Sequence, residues 1–319
     1  MDYNDSVLCE ENICSDINHF NATLKDKNGI LIFHTNIRSI QNNIQNLQAT
    51  IESMDKKPDV IICSEAWLSC CIGFVDLPGY KFYTNNSKYN KSDGVVTYVA
   101  DYLSETTTVE EHGQLKTTCT IIKMKDKNLM KITGLYRCFK YKEEKFIEDL
   151  NTLLRANKHF KNHIISGDVN IDINKDSEFS EEYLNDLIQS NYLPRIKTTT
   201  RPPNRKNEKG SCIDHVFSKL SYNSKTFKLL QKISDHYIVC IYIDFCNNIA
   251  PVEFKTKINF NKLEKLCKLN NWNNIYNLTD VNQATNYLVR TINNFINMSS
   301  KKLKIKKTTS PEKAGSQRV

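Results

Sequence analysis

The sequence predicts an α/β fold in which β-sheets are layered with helices. Apolar residues recur at helical spacing from Ile40 to Met54 and again from Phe146 to Leu154. Short apolar runs typical of strands alternate with these helices, at residues 60–64, 94–99, 119–124, 130–136, 163–167, 213–218 and 237–245. Strands and helices that interleave along one chain indicate α/β layers. The periodicity does not distinguish two packed sheets from one doubly wound sheet.

The same pattern divides the chain into three parts. Residues 1–28 are polar, rich in Asn and Asp and without sustained periodicity, so we expect a mobile lead-in. Residues 29–245 carry the alternating strands and helices, and Ser39 is a suitable N-cap for the first helix. Residues 246–319 are rich in Asn and Lys, and their apolar spacing predicts a helical tail that contains two amphipathic helices.

Composition limits the class of protein. A chain of 319 residues with 39% hydrophobic residues can bury a substantial core. No apolar run approaches the ~20 residues of a membrane span, and the start lacks the basic and apolar regions of a signal peptide. Export is therefore not expected. The 11 cysteines include no Cys-x-x-Cys pair, which favours buried, reduced thiols over disulfides or structural zinc.

Polar side chains stand where the predicted strands end. Asp168 and Asn170 close the run that begins at His163, and residues two apart on a strand share one face. Further polar residues at strand ends are Asn36, Glu65, Tyr136, Asp235 and His236. Acid, amide, phenol and imidazole groups gathered at strand ends are typical of hydrolytic sites on layered α/β sheets.

Seven short segments occur in a recognisable order along the chain. They are His34-Thr-Asn-Ile-Arg-Ser39, Pro58-Asp-Val-Ile-Ile-Cys-Ser-Glu-Ala-Trp-Leu68, Gly94-Val-Val-Thr-Tyr-Val99, Leu135-Tyr-Arg137, Gly167-Asp-Val-Asn170, Ile213-Asp-His-Val-Phe217 and Ser234-Asp-His236. This set resembles the endonuclease/exonuclease/phosphatase superfamily, most closely the apurinic-endonuclease-like domain of non-LTR retrotransposons. The resemblance implies a four-layer sandwich of two mixed β-sheets flanked by helices, with the active site at one end.

Phosphodiester hydrolysis assisted by Mg²⁺, or by Mn²⁺ as an alternative, is the chemistry that the resemblance implies. A hard divalent ion prefers one or two carboxylates, and we expect Glu65 to bind it with support from Asn36 and Asp235. Asp168 would orient or deprotonate the attacking water. Asn170 would donate a hydrogen bond to a phosphate oxygen without adding negative charge.

The imidazole and the phenol complete the expected site. His236 suits a pair with Asp214, whose carboxylate would raise the imidazole pKa and fix its tautomer. Tyr136 would donate to the phosphate or stabilise the leaving oxygen. The plainer alternatives are a surface position for Glu65, a turn for Asp168 and Asn170, and a core position for Tyr136.

Two segments depart from the pattern of the resembled family. The family usually continues Tyr-Arg-Pro-Pro, whereas this chain has Tyr136-Arg137-Cys138-Phe139. This difference concerns the loop after the tyrosine rather than the tyrosine itself. The second departure is Ser92-Asp93-Gly94, where relatives often show a glycine run, and it is expected to alter only a turn.

Basic residues suggest where a polyanion would bind. The net charge of +8 favours such a partner weakly, and the placement of the cations is more informative. The segment from Thr198 to Lys206 supplies hydroxyls and cations, and it suits either a grip on DNA phosphates or an ordinary solvated loop. We expect Arg38, Thr200 and Arg201 to contact DNA. The run from Lys301 to Lys307 suits a nuclear address or a solvated tail, and the need to meet chromosomal DNA favours the nucleus.

The function that these features favour is nicking of DNA by a Mg²⁺-dependent endonuclease. One alternative keeps the fold and changes the substrate to a phosphoinositide, a phospholipid or RNA. Another is a catalytically idle remnant that binds DNA or protein. The tail resembles the segment that links endonuclease to reverse transcriptase, so a reverse transcriptase would be supplied by another chain. A truncated element, a decayed copy and a domesticated gene all remain open.

Overall fold

A computed structural model describes residues 11–68, 75–85, 92–124, 126–203, 209–248 and 254–304. The helices are α1 Ile17–Thr23, α2 Ile40–Ser53, α3 Glu143–Ala156, α4 Glu178–Gln189, α5 Phe260–Leu269, α6 Asn273–Tyr276 and α7 Val281–Ser299. The strands are β1 Glu11–Cys14, β2 Ile30–Asn36, β3 Val60–Ser64, β4 Tyr80–Asn85, β5 Val95–Ala100, β6 Glu105–His112, β7 Leu115–Lys123, β8 Leu129–Tyr136, β9 Asn162–Asp168, β10 Leu193–Pro194, β11 Asp214–Lys219, β12 Tyr222–Lys232, β13 Tyr237–Asn248, β14 Phe254–Ile258 and β15 Ser300–Lys304.

Two mixed sheets build the larger unit, Met1–Asn248. The seven-stranded sheet has the order β1-β12-β13-β2-β3-β5-β4, and the six-stranded sheet has the order β10-β11-β9-β8-β7-β6. In the first sheet β2 and β3 are parallel, and in the second β8 and β9 are parallel. The other neighbours of these four strands run antiparallel to them. Parallel pairs require crossover connections, and α2 and α3 provide them.

Alternating side chains of the strands pack in opposite directions and create the layers. Ile32 joins a core cluster shared with Ile132 and Ile164 of the six-stranded sheet, so this cluster lies between the two sheets. Its neighbour Leu31 packs on the other side, in a cluster that includes residues of α1 and α2. A third cluster joins the outer face of the six-stranded sheet to α3 and α4, for example through Phe217. The order helices, sheet, sheet, helices confirms the predicted four-layer sandwich.

The predicted strands and helices are all present, but the sequence pattern missed several strands. The runs at 60–64, 130–136 and 163–167 correspond to β3, β8 and β9, and Ser39 caps α2 by accepting a hydrogen bond from the backbone of Asn42. The described strands without a predicted counterpart are β1, β4, β6, β10 and β12 in the larger unit and β14 and β15 in the second unit. In β6, intermediate and exposed residues predominate, so its apolar signal is weak.

Residues 11–24 correct the expectation of a mobile lead-in. Glu11–Cys14 pairs in parallel with Thr226–Leu229 of β12 and extends the seven-stranded sheet. Asp16 then caps α1, and Phe20 of this helix packs edge-on against Phe227 with ring centroids 5.0 Å apart. The sequence pattern missed β1 and α1 because most of their residues are polar. Only a few side chains of so short a segment face the core. Residues 1–10 lie outside the described part of the chain.

Cysteines of the described residues are free thiols, as the sequence predicts. Cys14, Cys63, Cys119, Cys138, Cys212 and Cys240 are buried, and Cys267 is partly buried. Burial raises the pKa of the Cys63 thiol, because a thiolate would be desolvated in the core. These thiols therefore act as small apolar residues of the sandwich.

The second unit, Ile249–Val319, contains the predicted tail helices. The apolar spacing from Phe260 and from Val281 corresponds to α5 and α7, and β14 pairs with β15 in a two-stranded sheet. Several large apolar side chains of the helices are exposed, among them Phe260, Leu269 and Val281. Within the described residues, no helix is both long and apolar enough to cross a membrane. Of the predicted basic run, residues 305–307 lie outside the described part.

Candidate active site

Three predicted site residues stand in one row across the six-stranded sheet. Tyr136 at the end of β8 lies opposite Asp168 at the end of β9, and Asp168 lies opposite Asp214 at the start of β11. The row forms because β8 and β9 are parallel while β11 is antiparallel, so two strand ends meet one strand start. Both carboxylates are buried. The strand register thus brings together groups that are far apart in sequence.

A hydrogen bond links this row to the seven-stranded sheet. Asn36 ends β2, and Glu65 follows directly after β3, its parallel neighbour. The Nδ2 group of Asn36 donates to Glu65 Oε2 at 2.8 Å and to Asp168 Oδ2 at 2.7 Å. Asn36 therefore bridges carboxylates that belong to different sheets, at the end of the sandwich that the resemblance implies.

The hydrogen bonds of Asn36 use both ends of its amide. The amide nitrogen faces the carboxylates of Glu65 and Asp168. The amide oxygen accepts a hydrogen bond of 3.1 Å from the backbone N–H of Arg38. Asn36 is thus placed to orient Glu65 and Asp168, and its support of a metal ion stays a prediction.

Several non-glycine residues around the site have left-handed backbone conformations. The φ angles are 43° at Arg38, 54° at Glu65, 53° at Trp67 and 52° at Asn170. Such conformations cost about 1–3 kcal/mol each and persist only where the surroundings fix them. At Glu65 one of these constraints is the indole of Trp67, whose Nε1 donates to Glu65 Oε1 at 3.2 Å. The backbone therefore fixes where these side chains point.

His236 and Asp214 form the predicted carboxylate–imidazole contact. His236 Nδ1 lies 2.7 Å from Asp214 Oδ2. Burial lowers the imidazole pKa, but the charge of Asp214 outweighs it and raises the pKa of His236 to about 9. Burial likewise acts to raise the pKa of Asp214, yet His236 holds it below the usual range. The pair is therefore an imidazolium–carboxylate pair at neutral pH.

Asp168 has the opposite electrostatic environment. Burial, followed by repulsion from Asp214, raises the pKa of Asp168 to about 7. Its Oδ1 accepts the backbone N–H of Asn170 at 2.9 Å while its Oδ2 accepts from Asn36. A carboxylate with this pKa is a stronger base than an ordinary aspartate and is about half ionised at neutral pH, which suits proton transfer from water.

Thr200 is buried, which corrects the prediction that it contacts DNA. Thr200 is 0% exposed. Its hydroxyl oxygen accepts hydrogen bonds from the backbone N–H groups of Ile213 at 3.1 Å and Asp214 at 3.0 Å. Its own carbonyl oxygen accepts the N–H of Tyr237 at 2.7 Å. Thr200 therefore fixes the segments that carry the imidazole pair. Of the predicted segment from Thr198 to Lys206, residues 204–206 lie outside the described part.

Asp235 lies between the two arginines that were predicted to contact DNA. Arg201 Nη2 is 3.0 Å from Asp235 Oδ2, and Arg38 Nη1 is 3.5 Å from Asp235 Oδ1. Burial favours the neutral acid, but His236 and Arg201 keep the pKa of Asp235 below its usual range. Asp235 is thus an ionised group beside partly exposed cations, where it can exchange one partner for another.

A cleft of about 360 Å³ opens above these groups. Its walls include the predicted residues Glu65, Tyr136, Asp168, Asn170, Asp235 and His236, together with Arg38 and Arg201. Asn36 and Asp214 are buried and contact lining residues from below. Tyr136 faces the cleft and also packs against two core clusters, so the catalytic and core interpretations of this residue both describe part of its surroundings.

The donor atoms in the cleft fit a divalent cation. Glu65, Asp168 and Asp235 line this cleft with carboxylates, which hard cations prefer as ligands. Among the described residues, the close spacing of potential ligands is found in a different set, because Asp168, Asp214 and His236 each offer an atom within 4.8 Å of the others. The imidazolium form of His236 does not favour that arrangement, since only a neutral imidazole coordinates a metal. The assignment of the ion to Glu65 and Asp235 stays a prediction.

Sequence reasoning missed two buried residues behind the site. Arg137 donates through Nη1 to the carbonyl oxygens of Val169 and Asn170 at 3.2 Å each, and Asn170 Nδ2 donates back to the Arg137 carbonyl at 2.8 Å. His34 Nδ1 lies 3.9 Å from Asp214 Oδ1, and burial lowers the pKa of His34 to about 4. The spacing of two residues between His34 and Asn36 places both on one face of β2, which is a signal that could have found His34.

The fold consists of two packed mixed sheets, and acid, amide, phenol and imidazole groups meet at one end of them. This combination is typical of the class of layered α/β proteins with hydrolytic sites. Residues 130–240 match the family model described as Endonuclease-reverse transcriptase. A comparison with curated protein sequences gave no significant match. The family match covers β8, β9 and β11, and so includes the row of Tyr136, Asp168 and Asp214.

Solved structures identify the fold more fully. The chain is similar to the AP endonuclease LMAP from Leishmania major, with 14% identity, a TM-score of 0.59 and coverage of 70% of this chain and 90% of that one. An endonuclease/exonuclease/phosphatase family protein from Leptotrichia buccalis has 14% identity and a TM-score of 0.55, with coverage of 68% of this chain and 100% of that one. The endonuclease domain of TRAS1, a telomere-specific non-LTR retrotransposon, has 13% identity and a TM-score of 0.51, with coverage of 68% of this chain and 100% of that one. The chain therefore has the endonuclease/exonuclease/phosphatase fold, which confirms the predicted resemblance.

Proposed function

We propose that the protein is a Mg²⁺-dependent endonuclease that nicks DNA, with Mn²⁺ as an alternative ion. The observation that carries this proposal is the hydrogen bond of 2.7 Å from Asn36 to Asp168, because it joins the strand ends of two sheets into one polar site. The site combines a base, a hydrogen-bond donor with positive charge and a carboxylate suited to a cation. Hydrolysis of a phosphodiester needs these three groups together.

The attack on phosphorus depends on Asp168. Water adds its oxygen to the phosphorus atom, and Asp168 takes the proton that the water releases. The pKa of about 7 and the hydrogen bonds from Asn36 and Asn170 hold this carboxylate ready as a base near neutral pH. In this scheme Asn170 uses one amide hydrogen on Arg137 and offers the other to a phosphate oxygen.

His236 and Tyr136 serve the phosphate from the other walls of the cleft. His236 keeps a positive charge because Asp214 is 2.7 Å away, so it donates to a phosphate oxygen and stabilises the developing negative charge. Burial and then Asp168 raise the pKa of Tyr136, so its phenol stays protonated and donates to the leaving oxygen as the phosphorus–oxygen bond breaks. These roles match those expected from the sequence.

Glu65 and Asp235 would hold the divalent cation. When bound, such an ion neutralises charge on the phosphoryl oxygens. Asp235 contacts Arg38 and Arg201 in the present arrangement, and both arginines suit phosphate groups of bound DNA. Thr200 takes no part in this grip because it is buried.

Substrate and partner choice follow from the surroundings of the cleft. Arg38, Arg201 and Lys140 all line it, so its rim is suited to a polyanionic strand. The exposed apolar residues of the C-terminal unit, such as Leu269 and Val281, suit a reverse transcriptase supplied by another chain. The nucleus is the compartment in which such an enzyme meets chromosomal DNA.

Relaxation of supercoiled plasmid tests the proposal. We expect nicked circles with Mg²⁺, a similar product with Mn²⁺ and none with EDTA, since without the ion the charge that it would neutralise on the phosphoryl oxygens is left to His236 alone. A parallel assay of phosphate release from a phosphoinositide should give no product. Phosphate release without plasmid nicking would show that the substrate is a phosphoinositide rather than DNA. A folded protein that is inactive in both assays would favour the catalytically idle remnant.

A further inference from the structure

An exposed aromatic side chain stands beside the cleft, in the loop where the sequence departs from the resembled family. Phe139 is 74% exposed and lines the cleft together with its neighbour Lys140. The flanking residues Cys138 and Tyr141 are buried. The loop therefore holds an aromatic ring and a cation outward from two buried anchors.

Hydrogen bonds fix this loop on both sides. The backbone N–H of Tyr141 donates to the carbonyl of Cys138 at 3.0 Å, and the phenol of Tyr141 donates to Asp149 of α3. On the other side, the N–H of Arg137 donates to the carbonyl of Asp168 at 3.0 Å. The position of Phe139 is thus set relative to the proposed catalytic carboxylate, so little ordering would be needed when it binds.

The aromatic ring of Phe139 is exposed to water in the free protein, which is unfavourable for an apolar side chain. Burial of a phenylalanine side chain is favourable, and this ring gains little of that stabilisation in the free protein. Single exposed apolar residues are common and need no explanation alone. Here the ring borders the proposed catalytic cleft, and Lys140 stands next to it. Aromatic rings interleaved with cations are the surface on which nucleic-acid bases stack while phosphates are neutralised.

We propose that Phe139 stacks on an unpaired nucleobase next to the phosphate that is cut, while Lys140 neutralises a phosphate of the same strand. This inference rests on the proposed function, and it adds a preference among DNA substrates. Within a duplex both faces of a base are covered by its neighbours, so stacking on Phe139 requires the base to leave the helix and to lose its stacking and pairing there. In a bulge or a single strand the face is already accessible.

A binding experiment with 2-aminopurine tests this inference on the full-length protein. The probes are two DNA duplexes that carry 2-aminopurine, one as a single-base bulge and one fully paired, and EDTA prevents cleavage. We expect about tenfold tighter binding of the bulged duplex and quenching of its fluorescence, since stacking on an aromatic ring contributes this much per base. Phe139→Ala should lose both effects, and Phe139→Trp should retain them.

Matched variants separate stacking from other causes. Phe260→Ala removes a phenylalanine that is 71% exposed in the C-terminal unit, and it should bind both duplexes like the unaltered protein. Lys140→Ala should weaken binding of both duplexes and lower the salt dependence while keeping the preference for the bulge. An equal loss of preference in Lys140→Ala and Phe139→Ala would assign the effect to charge and overturn the inference.

Failure of this inference can be distinguished from failure of the proposed function. Phe139→Ala that binds and quenches like the unaltered protein would refute the stacking role, whatever the plasmid assay shows. A protein that binds the bulge through Phe139 and does not nick plasmid would keep the stacking role and lose the endonuclease. Equal thermal midpoints for the variants would show that the exposed ring does not contribute to folding.

Discussion

The floor and the rim of the cleft hold their polar groups in different ways. At the floor, Asn36, Asp168 and Asp214 are buried, and protein hydrogen bonds from two sheets fix them. At the rim, Arg38 and Arg201 are partly exposed and share Asp235 as an ion-pair partner. Exposed ion pairs contribute little to stability and exchange partners readily. In the proposed function the floor therefore carries the chemistry, whereas the rim contacts the substrate.

The largest expected effect concerns Glu65, which lies where floor and rim meet. Glu65→Gln keeps the size of the side chain and removes one negative charge, so it should weaken binding of the divalent cation. We expect nicking to fall about 1,000-fold, because bound cations contribute several kcal/mol of charge stabilisation. Initial rates of plasmid nicking across a Mg²⁺ titration measure this. Glu52→Gln on the exposed side of α2 is the matched control, and unaltered rates of Glu65→Gln at saturating Mg²⁺ would remove Glu65 from the site.

A smaller but still large effect is expected at the floor itself. His236→Ala removes the cation that donates to the phosphate, and we expect nicking to fall about 100-fold or more. DNA affinity should change little, because the rim arginines remain. Single-turnover nicking and gel-shift titration measure the two quantities separately. His159→Ala, which alters an exposed histidine, serves as the control, and a parallel loss of affinity in His236→Ala would contradict the division between floor and rim.

At the rim, Arg201→Ala should affect binding rather than chemistry. Loss of one phosphate contact should weaken DNA binding at all sequences and lower the slope of log affinity against log salt by about 1. Titrations at several salt concentrations give this slope. Arg155→Ala, at the exposed end of α3, should leave the slope unchanged. A rate defect at saturating DNA in Arg201→Ala would instead place this arginine among the groups that act on the reaction.

The smallest effect is expected from removal of the C-terminal unit. A chain that ends at Asn248 keeps both sheets and all described floor and rim residues, so its nicking rate should stay within about threefold of the full-length protein. Binding at low salt should weaken, because the basic run from Lys301 to Lys307 is lost. Circular dichroism would verify folding. A folded but inactive truncation would show that the tail contributes to the active site.

Much of the floor could be predicted because strand geometry is local. Apolar runs that stop at a polar residue located the ends of β2, β8 and β9, and Asn36, Tyr136 and Asp168 lie there. The contact of Asp214 with His236 was also predicted, because both residues lie in segments of the resembled motif set and suit a carboxylate–imidazole pair. The roles of these residues remain predictions until they are measured.

The remaining features depend on contacts between distant parts of the chain. Thr200 resembles any loop hydroxyl in sequence, and its burial arises only when Ile213 and Tyr237 close around it. The orientation of the Asn36 amide is set by Arg38 on one side and two carboxylates on the other. The strand β6 has a weak apolar signal because much of it faces solvent. No local pattern encodes such arrangements.

The position of β1 has a consequence for the order of folding. Asn12 donates a hydrogen bond of 3.1 Å to the carbonyl of Thr226, a residue 214 positions further along the chain. During synthesis this strand emerges well before β12, yet it cannot pair until β12 has been made and placed. Its neighbour Glu11 also accepts the backbone N–H groups of Lys197 and Thr198, at the base of the segment that carries Arg201. β1 can therefore dock only after most of the first unit has been made, and its contacts with the segment that carries Arg201 form only then.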